Sequence, residues 1–285
     1  MSNIGSYDER LKNFDWKIAE DELDYKPGNV INIGWYCSDR ICLMGKAEKP
    51  ALIWEGSTGI EKRYTYNDLR INSNTIAHFL KGLGVQPGDR VCLFMDKIPE
   101  LYIGFLGVLK MGGVAQPLFS AFGDESLFVR LDNAQTTAII TQKKHAPKVR
   151  KIMDKMPYLK HMIIVDADPG KPLLDHEVAF DMEKAEKIDQ FDIHPTYAES
   201  ASVLHYTSGT TGQPKGVKHV HYSLISQYLT AKWVLDLQDT DIYWCTADPG
   251  WVTGTSYGII GAFSNGVTPV CAGCRLFGRQ LVPVR

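Results

Sequence analysis

The chain has almost no net charge. Its 31 lysines and arginines against 33 aspartates and glutamates leave −2 over 285 residues. That balance supplies no electrostatic footprint for nucleic acid or an anionic membrane, so neither is expected as a partner. Long apolar runs are also missing. The most apolar stretch, residues 101–119, is broken by Lys110, Gly112, Gly113 and Pro117. It therefore falls short of the ~18 uninterrupted apolar residues of a membrane-spanning helix. Cysteine is sparse and scattered, at Cys37, Cys42, Cys92, Cys245, Cys271 and Cys274. With no signal-like N-terminus, these are expected to be reduced, packed thiols in a cytoplasmic protein. The pair Cys271-x-x-Cys274 lacks the second pair of a zinc ribbon and the helical context of a redox motif, and reads as coincidence. Internal repeats and low-complexity segments are absent.

What is present is a dense cluster of donors. Residues 206–221 read YTSGTTGQPKGVKHVH. Three hydroxyl side chains and two glycines fall within Ser208 to Gly212, then a proline and a lysine follow. No acidic residue occurs from Ser200 to Trp233. Glycine lets the backbone approach an anion, hydroxyl and amide groups donate to phosphate oxygens, and lysine adds a point charge. A polar surface turn has a similar composition, but the donor density and lack of acid favour a phosphate clamp. A Walker loop is excluded, because Gln213 and Pro214 separate Gly212 from Lys215 and Gly216 follows the lysine. The G-x-S-x-G elbow of hydrolases is absent around Ser208. His219 and His221 alternate, but they have no third ligand at metal spacing. They are expected at a strand-to-helix junction, and no metal site is assigned.

The rest of the chain alternates strand-like and helix-like runs. Thr65-x-x-Asp68 has the form of a capping box, opening a helix that Leu69, Ile76, Phe79, Leu80 and Leu83 continue and Gly84 ends. Strands are expected at 90–95, 114–118, 137–141 and 161–165, with helices over 99–111 and around 148–153. This order predicts an α/β fold with parallel-sheet layers and flanking helices. The hydroxyl-rich loop follows the strand-like run 201–205. Open α/β sheets bind ligands outside the carboxyl ends of their strands, which is where this loop falls. Residues 1–50 are expected to wrap the surface as an extension.

Residues 206–221 resemble the signature loop of the acyl-adenylate-forming superfamily, and ADPGWVTG at 247–254 resembles its acetyl-CoA synthetase branch. The likeness runs from about Phe14 to about Thr268 and implies the partial N-terminal domain of an adenylate-forming enzyme over 51–268. In such enzymes a carboxylate attacks the α-phosphorus of ATP and pyrophosphate leaves. Coenzyme A then displaces AMP. The resemblance implies ATP, Mg2+ and coenzyme A, with acetate or another short carboxylate as substrate. It assigns ATP phosphate contacts to Thr207, Ser208, Gly209, Thr210, Thr211, Gly212 and Lys215, and the carboxylate pocket or its rim to Trp251, Val252 and Thr253. On composition alone, an aromatic followed by two β-branched residues reads as core strand. Asp248 is either a pocket acid or the turn-former before Pro249-Gly250. In the basic run Lys143, Lys144, Lys148, Arg150 and Lys151, Arg150 is the candidate for coenzyme A. A solvated helix face is the ordinary alternative.

No counterpart is found for the family's downstream aromatic-Thr-Glu segment, ribose-binding aspartate, hinge, or mobile C-terminal domain with its lysine. Residues 269–285 depart from the family pattern. The chain is therefore expected to be a truncated or frame-shifted ligase without activity of its own. A non-catalytic nucleotide-binding remnant, or a partner of a separate C-terminal half, is the alternative, and an unrelated phosphotransferase a weaker one.

Overall fold

A computed structural model describes residues 2–208 and 212–272. The chain begins with four short helices, α1 (Tyr7–Lys12), α2 (Lys17–Glu22), α3 (Ile33–Tyr36) and α4 (Asp39–Ile41), and a π-helical turn over Cys42–Lys46. There follow β1 (Pro50–Glu55), β2 (Glu61–Thr65), α5 (Tyr66–Gly82), β3 (Arg90–Phe94), α6 (Pro99–Lys110), β4 (Val114–Pro117), α7 (Asp124–Ala134), β5 (Ala138–Thr141) and α8 (Ala146–Met153). After β6 (His161–Ile164) and β7 (Glu177–Ala179) come β8 (Ala201–Ser208), β9 (Pro214–Val220), α9 (Ser223–Trp233), β10 (Ile242–Trp244) and α10 (Val252–Thr255). A π-helical stretch, Ser256–Gly261, leads into α11 (Ala262–Ser264) and β11 (Thr268–Ala272).

The strands form two sheets. The larger runs β7-β6-β5-β3-β4-β8-β9 and the smaller β10-β11-β1-β2. Within each, all neighbours are parallel except at one edge, where β9 runs antiparallel to β8 and β2 to β1. The expected parallel layers are present, each closed on one side by a hairpin.

The principal core joins Leu52 of β1, Tyr66, Leu69 and Ile76 of α5, Phe105 and Leu109 of α6, and Val91 and Leu93 of β3. Helix α5 starts where the sequence places it: the Thr65 hydroxyl accepts from the Asp68 amide and the Asp68 carboxylate accepts from the Thr65 amide. The α5–α6 crossing is close because α6 has a glycine at the contact. A methyl group on Gly107 would lie 2.8 Å from the Ser73 carbonyl oxygen. A second core, with Phe94, Leu127, Val149 and Met162, lies among β3, α7, α8 and β6.

Two boundaries differ from expectation. Ile31, Ile33, Tyr36, Cys37 and Ile41 are buried in the principal core, so the segment before residue 51 both wraps the domain and fills it. Residues 269–272 lie within β11, an inner strand between β10 and β1. Residues 273–285, including Cys274, lie outside the described residues. Lys110, inside the apolar 101–119 run, is fully buried. Its ammonium lies 2.6 Å from the Asp39 carboxylate and donates to Asn74 Oδ1 at 2.8 Å. Burial pulls its pKa down to about 8 while Asp39 opposes the shift.

Candidate functional site

The hydroxyl-rich loop connects β8 and β9, and β8 runs to Ser208, three residues beyond the expected strand-like run. Strand pairing places Tyr206 opposite Gly216, Thr207 opposite Lys215, and Ser208 opposite Pro214. Directly paired residues of an antiparallel ladder project to the same face, so the Thr207 hydroxyl and the Lys215 ammonium share one. Both residues and Ser208 are exposed. Gly212 has φ +82°, a left-handed conformation suited to glycine, and nothing within 4 Å of where a side chain would begin. Gly209, Thr210 and Thr211 lie outside the described residues. Lys215 makes no ion pair among the described residues, leaving its charge available to a ligand.

After the loop the chain continues as the strand β9 before α9 begins. Pro214 opens β9, where its missing N–H costs little, and Val217 and Val220 favour extended backbone. His219 sits in β9, and only His221 lies at the junction with α9. His221 is a core residue: its Nδ1 accepts from the Ile33 amide at 3.1 Å, and burial lowers its pKa to about 3. It lies beyond the opposite end of β9 from the loop.

The base of the hairpin is anchored by Tyr206, whose hydroxyl donates to Asn133 Oδ1 of α7 at 2.9 Å. Beside β8 runs β4, and the chain leaving β4 meets the ADPGWVTG segment. A methyl group on Gly250 would lie 2.5 Å from the Phe119 amide nitrogen, and one on Gly254 would lie 2.2 Å from the Asp248 carbonyl oxygen. Only glycine allows this fold-back. Asp248 forms the turn: its carboxylate accepts from the Gly250 amide at 2.8 Å and its carbonyl from the Trp251 amide at 2.9 Å. Burial raises the pKa of the same carboxyl group.

Trp251, Val252 and Thr253 do not form a core strand. They open α10 with exposed side chains, Trp251 at 50% and Val252 at 46% exposure. The Trp251 ring lies 6.4 Å from that of Phe119. Exposed apolar groups at the carboxyl ends of β4 and β8 suit the rim of a binding site better than packing. The two motifs, some 40 residues apart in sequence, are thus brought to one end of the large sheet.

Arg150 is placed elsewhere. Its guanidinium donates to both carboxylate oxygens of Glu177, Nε at 2.6 Å and Nη2 at 3.1 Å. Glu177 belongs to edge strand β7, five interstrand steps from β8, or about 24 Å. Arg150, Lys143, Lys144 and Lys171 line a cleft of about 420 Å³ near β6. Most of the basic run is engaged: Lys143 with Asp168, Lys144 with Asp96, Lys151 with Asp124, and Lys148 with the Ser120 and Phe122 carbonyls. Among the described residues no three His, Cys, Asp or Glu side chains are placed to share a metal ion.

Sequence reasoning missed the residue that ties the two motifs together. His205, buried in β8, has its Nε2 2.7 Å from the Thr255 hydroxyl at the end of α10. A histidine inside an otherwise apolar strand was the available signal, although nothing local identified its partner.

The fold is a mixed α/β one with parallel sheets and flanking helices, and the chain belongs to the AMP-binding enzyme family, whose model matches residues 42–280. Among curated relatives it is 39% identical over 276 residues to an acetyl-coenzyme A synthetase of Bacillus subtilis, covering 96% of this chain and 47% of that protein. It is 37% identical to the acetyl-coenzyme A synthetase of Deinococcus radiodurans, covering 90% and 41%. In structure it is similar to an acyl-CoA synthetase from Brucella canis, with a TM-score of 0.84, 25% identity, and coverage of 94% of this chain and 48% of that one. The chain spans about half the length of the relatives it matches.

Proposed function

We propose that these residues belong to an AMP-forming acetate–CoA ligase and supply its phosphate-holding and carboxylate-bordering elements. The observation that carries the reading is the pairing of Thr207 with Lys215 on an exposed, acid-free hairpin beside the Trp251–Thr253 rim. In this reaction a carboxylate oxygen attacks the α-phosphorus of ATP and the bond to the β-phosphate oxygen breaks. The thiol of coenzyme A then attacks the acyl carbon, and AMP leaves. The hairpin's task is electrostatic. Thr207, Ser208 and Lys215, with Gly209 to Gly212, would hold the β- and γ-phosphates and stabilise charge on the departing pyrophosphate without reacting. Mg2+ would arrive with ATP as part of the substrate. Trp251, Val252 and Thr253 would border the short acid, two apolar side chains and one hydroxyl beside a methyl and a carboxylate. Acetate is the proposed acid, with propionate an alternative. Arg150 is the candidate contact for coenzyme A within the basic run, but its bidentate pairing with Glu177 favours a structural role. No catalytic residue is assigned within this chain. A cytoplasmic setting fits these small-molecule substrates, and no described helix is long and apolar enough to cross a membrane.

Isothermal titration with ATP and with a sulfamoyl analogue of acetyl-adenylate tests the reading. Saturable binding of both, weakened by Lys215→Ala, is expected, and binding indifferent to that substitution would remove its basis. Acetate-dependent ATP–pyrophosphate exchange tests the 285-residue polypeptide itself. No exchange is expected from this polypeptide alone, and exchange restored by co-expression with a separately supplied C-terminal half would favour the second reading, a partner of such a half.

A further inference from the structure

We infer that His205 is a positioning residue that holds the Trp251–Thr253 rim in register with the phosphate-holding hairpin. This role rests on the reading of those two elements as one site. His205 stands three residues before Ser208 on β8, within the same strand that carries Thr207. It is 4% exposed, and its Nε2 lies 2.7 Å from Thr255 Oγ1. Thr255 is itself buried and closes the first turn of α10, its hydroxyl donating to the Val252 carbonyl at 3.1 Å. The bond between the His205 ring and the Thr255 hydroxyl, and that hydroxyl's contact with the Val252 carbonyl, together bridge β8 to the backbone of the rim.

A second bond works beside it. Gln227 of α9 donates to the Ser256 hydroxyl at 3.1 Å. Adjacent residues 255 and 256, where α10 passes into the π-helical stretch, are therefore held from two directions. π-helical turns are rare and occur frequently at functional sites. The rim residues are exposed, and beside the glycine-permitted fold-back against Phe119 this clamp fixes the end of their turn. His205 is the part of it that reaches from the phosphate-holding strand.

Hydrogen-exchange mass spectrometry on the full chain tests the inference without requiring turnover. His205→Leu preserves bulk but removes the bond, and Thr255→Val removes it from the other side. Each should speed exchange of the 250–256 amides by roughly tenfold, the ratio expected for loss of about 1.4 kcal/mol. The double variant should add little to either single change. His205→Gln, whose side-chain amide can both donate to and accept from the Thr255 hydroxyl, should restore most of the protection. Peptides covering β5 and β6 should be unchanged in every variant. Rescue by glutamine separates positioning from bulk packing. Equal protection in wild type and both single variants would overturn the role, as would failure of glutamine to rescue. In a second arm, the acetyl-adenylate analogue should protect 250–256 in wild type and bind about tenfold more weakly to His205→Leu, with ATP alone affected less. If the exchange coupling is present but the analogue protects nothing there, the reading of the rim as a carboxylate border fails, and the catalytic meaning of the clamp fails with it.

Discussion

Thr207 lies directly across the β8–β9 ladder from Lys215. Eight residues apart in sequence, they present a hydroxyl and an ammonium to the same space beyond the carboxyl end of β8. Lys215 is exposed, so Lys215→Ala should leave folding stability within about 0.5 kcal/mol of wild type. Loss of a charge-assisted contact to phosphate should weaken ATP binding by about 1.5–3 kcal/mol, or some 10- to 150-fold. Calorimetric titration alongside urea unfolding checks both. A stability loss that accounts for the affinity loss would contradict the assignment.

Gly250 and Gly254 each carry a steric requirement. A methyl at Gly250 would meet the Phe119 backbone and one at Gly254 the Asp248 carbonyl. Backbone cannot move aside as a flexible side chain can. Gly250→Ala and Gly254→Ala should each lower stability by about 1–3 kcal/mol. Both should also displace Trp251 from Phe119, which its fluorescence would register. Wild-type stability in either variant would show that the segment is looser than described.

Two histidines make the fold sensitive to acid. Burial lowers the pKa of His205 to about 4 and that of His221 to about 3, whereas in the unfolded chain both titrate near 6.5. Between those values the unfolded state binds protons that the native state does not, so stability falls as pH drops below 6.5. His161 and His219, also lowered by burial, act with the same sign. His221→Asn keeps an acceptor for the Ile33 amide and cannot titrate. Urea unfolding between pH 6.5 and 4.5 should lose close to one proton of slope in that variant, about 1.4 kcal/mol per pH unit. An unchanged slope would exclude His221 as a source.

Arg150 separates a structural role from a substrate role. Arg150→Ala leaves the nearly buried Glu177 carboxylate without its bidentate partner and should lower stability by about 1–3 kcal/mol. Glu177→Gln added to Arg150→Ala should recover part of that loss, because a neutral amide is less costly to bury unpaired. Coenzyme A affinity should be unaffected in the recovered double variant if the arginine is structural. A drop of tenfold or more there would instead support contact with the coenzyme.

Local pattern was a good guide where neighbouring residues decide the outcome. The capping box at Thr65 and Asp68 opens α5, and the apolar runs at 90–95, 114–118, 137–141 and 161–165 became four adjacent parallel strands. The hairpin was missed because Gly216, Lys218 and His219 dilute the apolar signal of β9, although Pro214 at its start and valines at 217 and 220 were consistent with it. Trp251-Val252-Thr253 has strand-like composition, yet Gly250 and Gly254 fold it against β4 and it begins a helix with its side chains outward. The basic run showed its charge but not its partners, since Asp96, Asp124, Asp168 and Glu177 reach it from other elements.

By itself the sequence determined the alternation of strands and helices, the donor-rich, acid-free composition of residues 206–221 and the resemblance to adenylate-forming enzymes. These follow from the order and chemistry of consecutive residues. Only the tertiary structure decided that Thr207 faces Lys215, that Arg150 stands at the far edge of the sheet, and that His205 reaches Thr255 fifty residues away. Those relationships arise because strand order and glycine-permitted close approaches bring distant segments within hydrogen-bond range, and neither is encoded in any local run of residues.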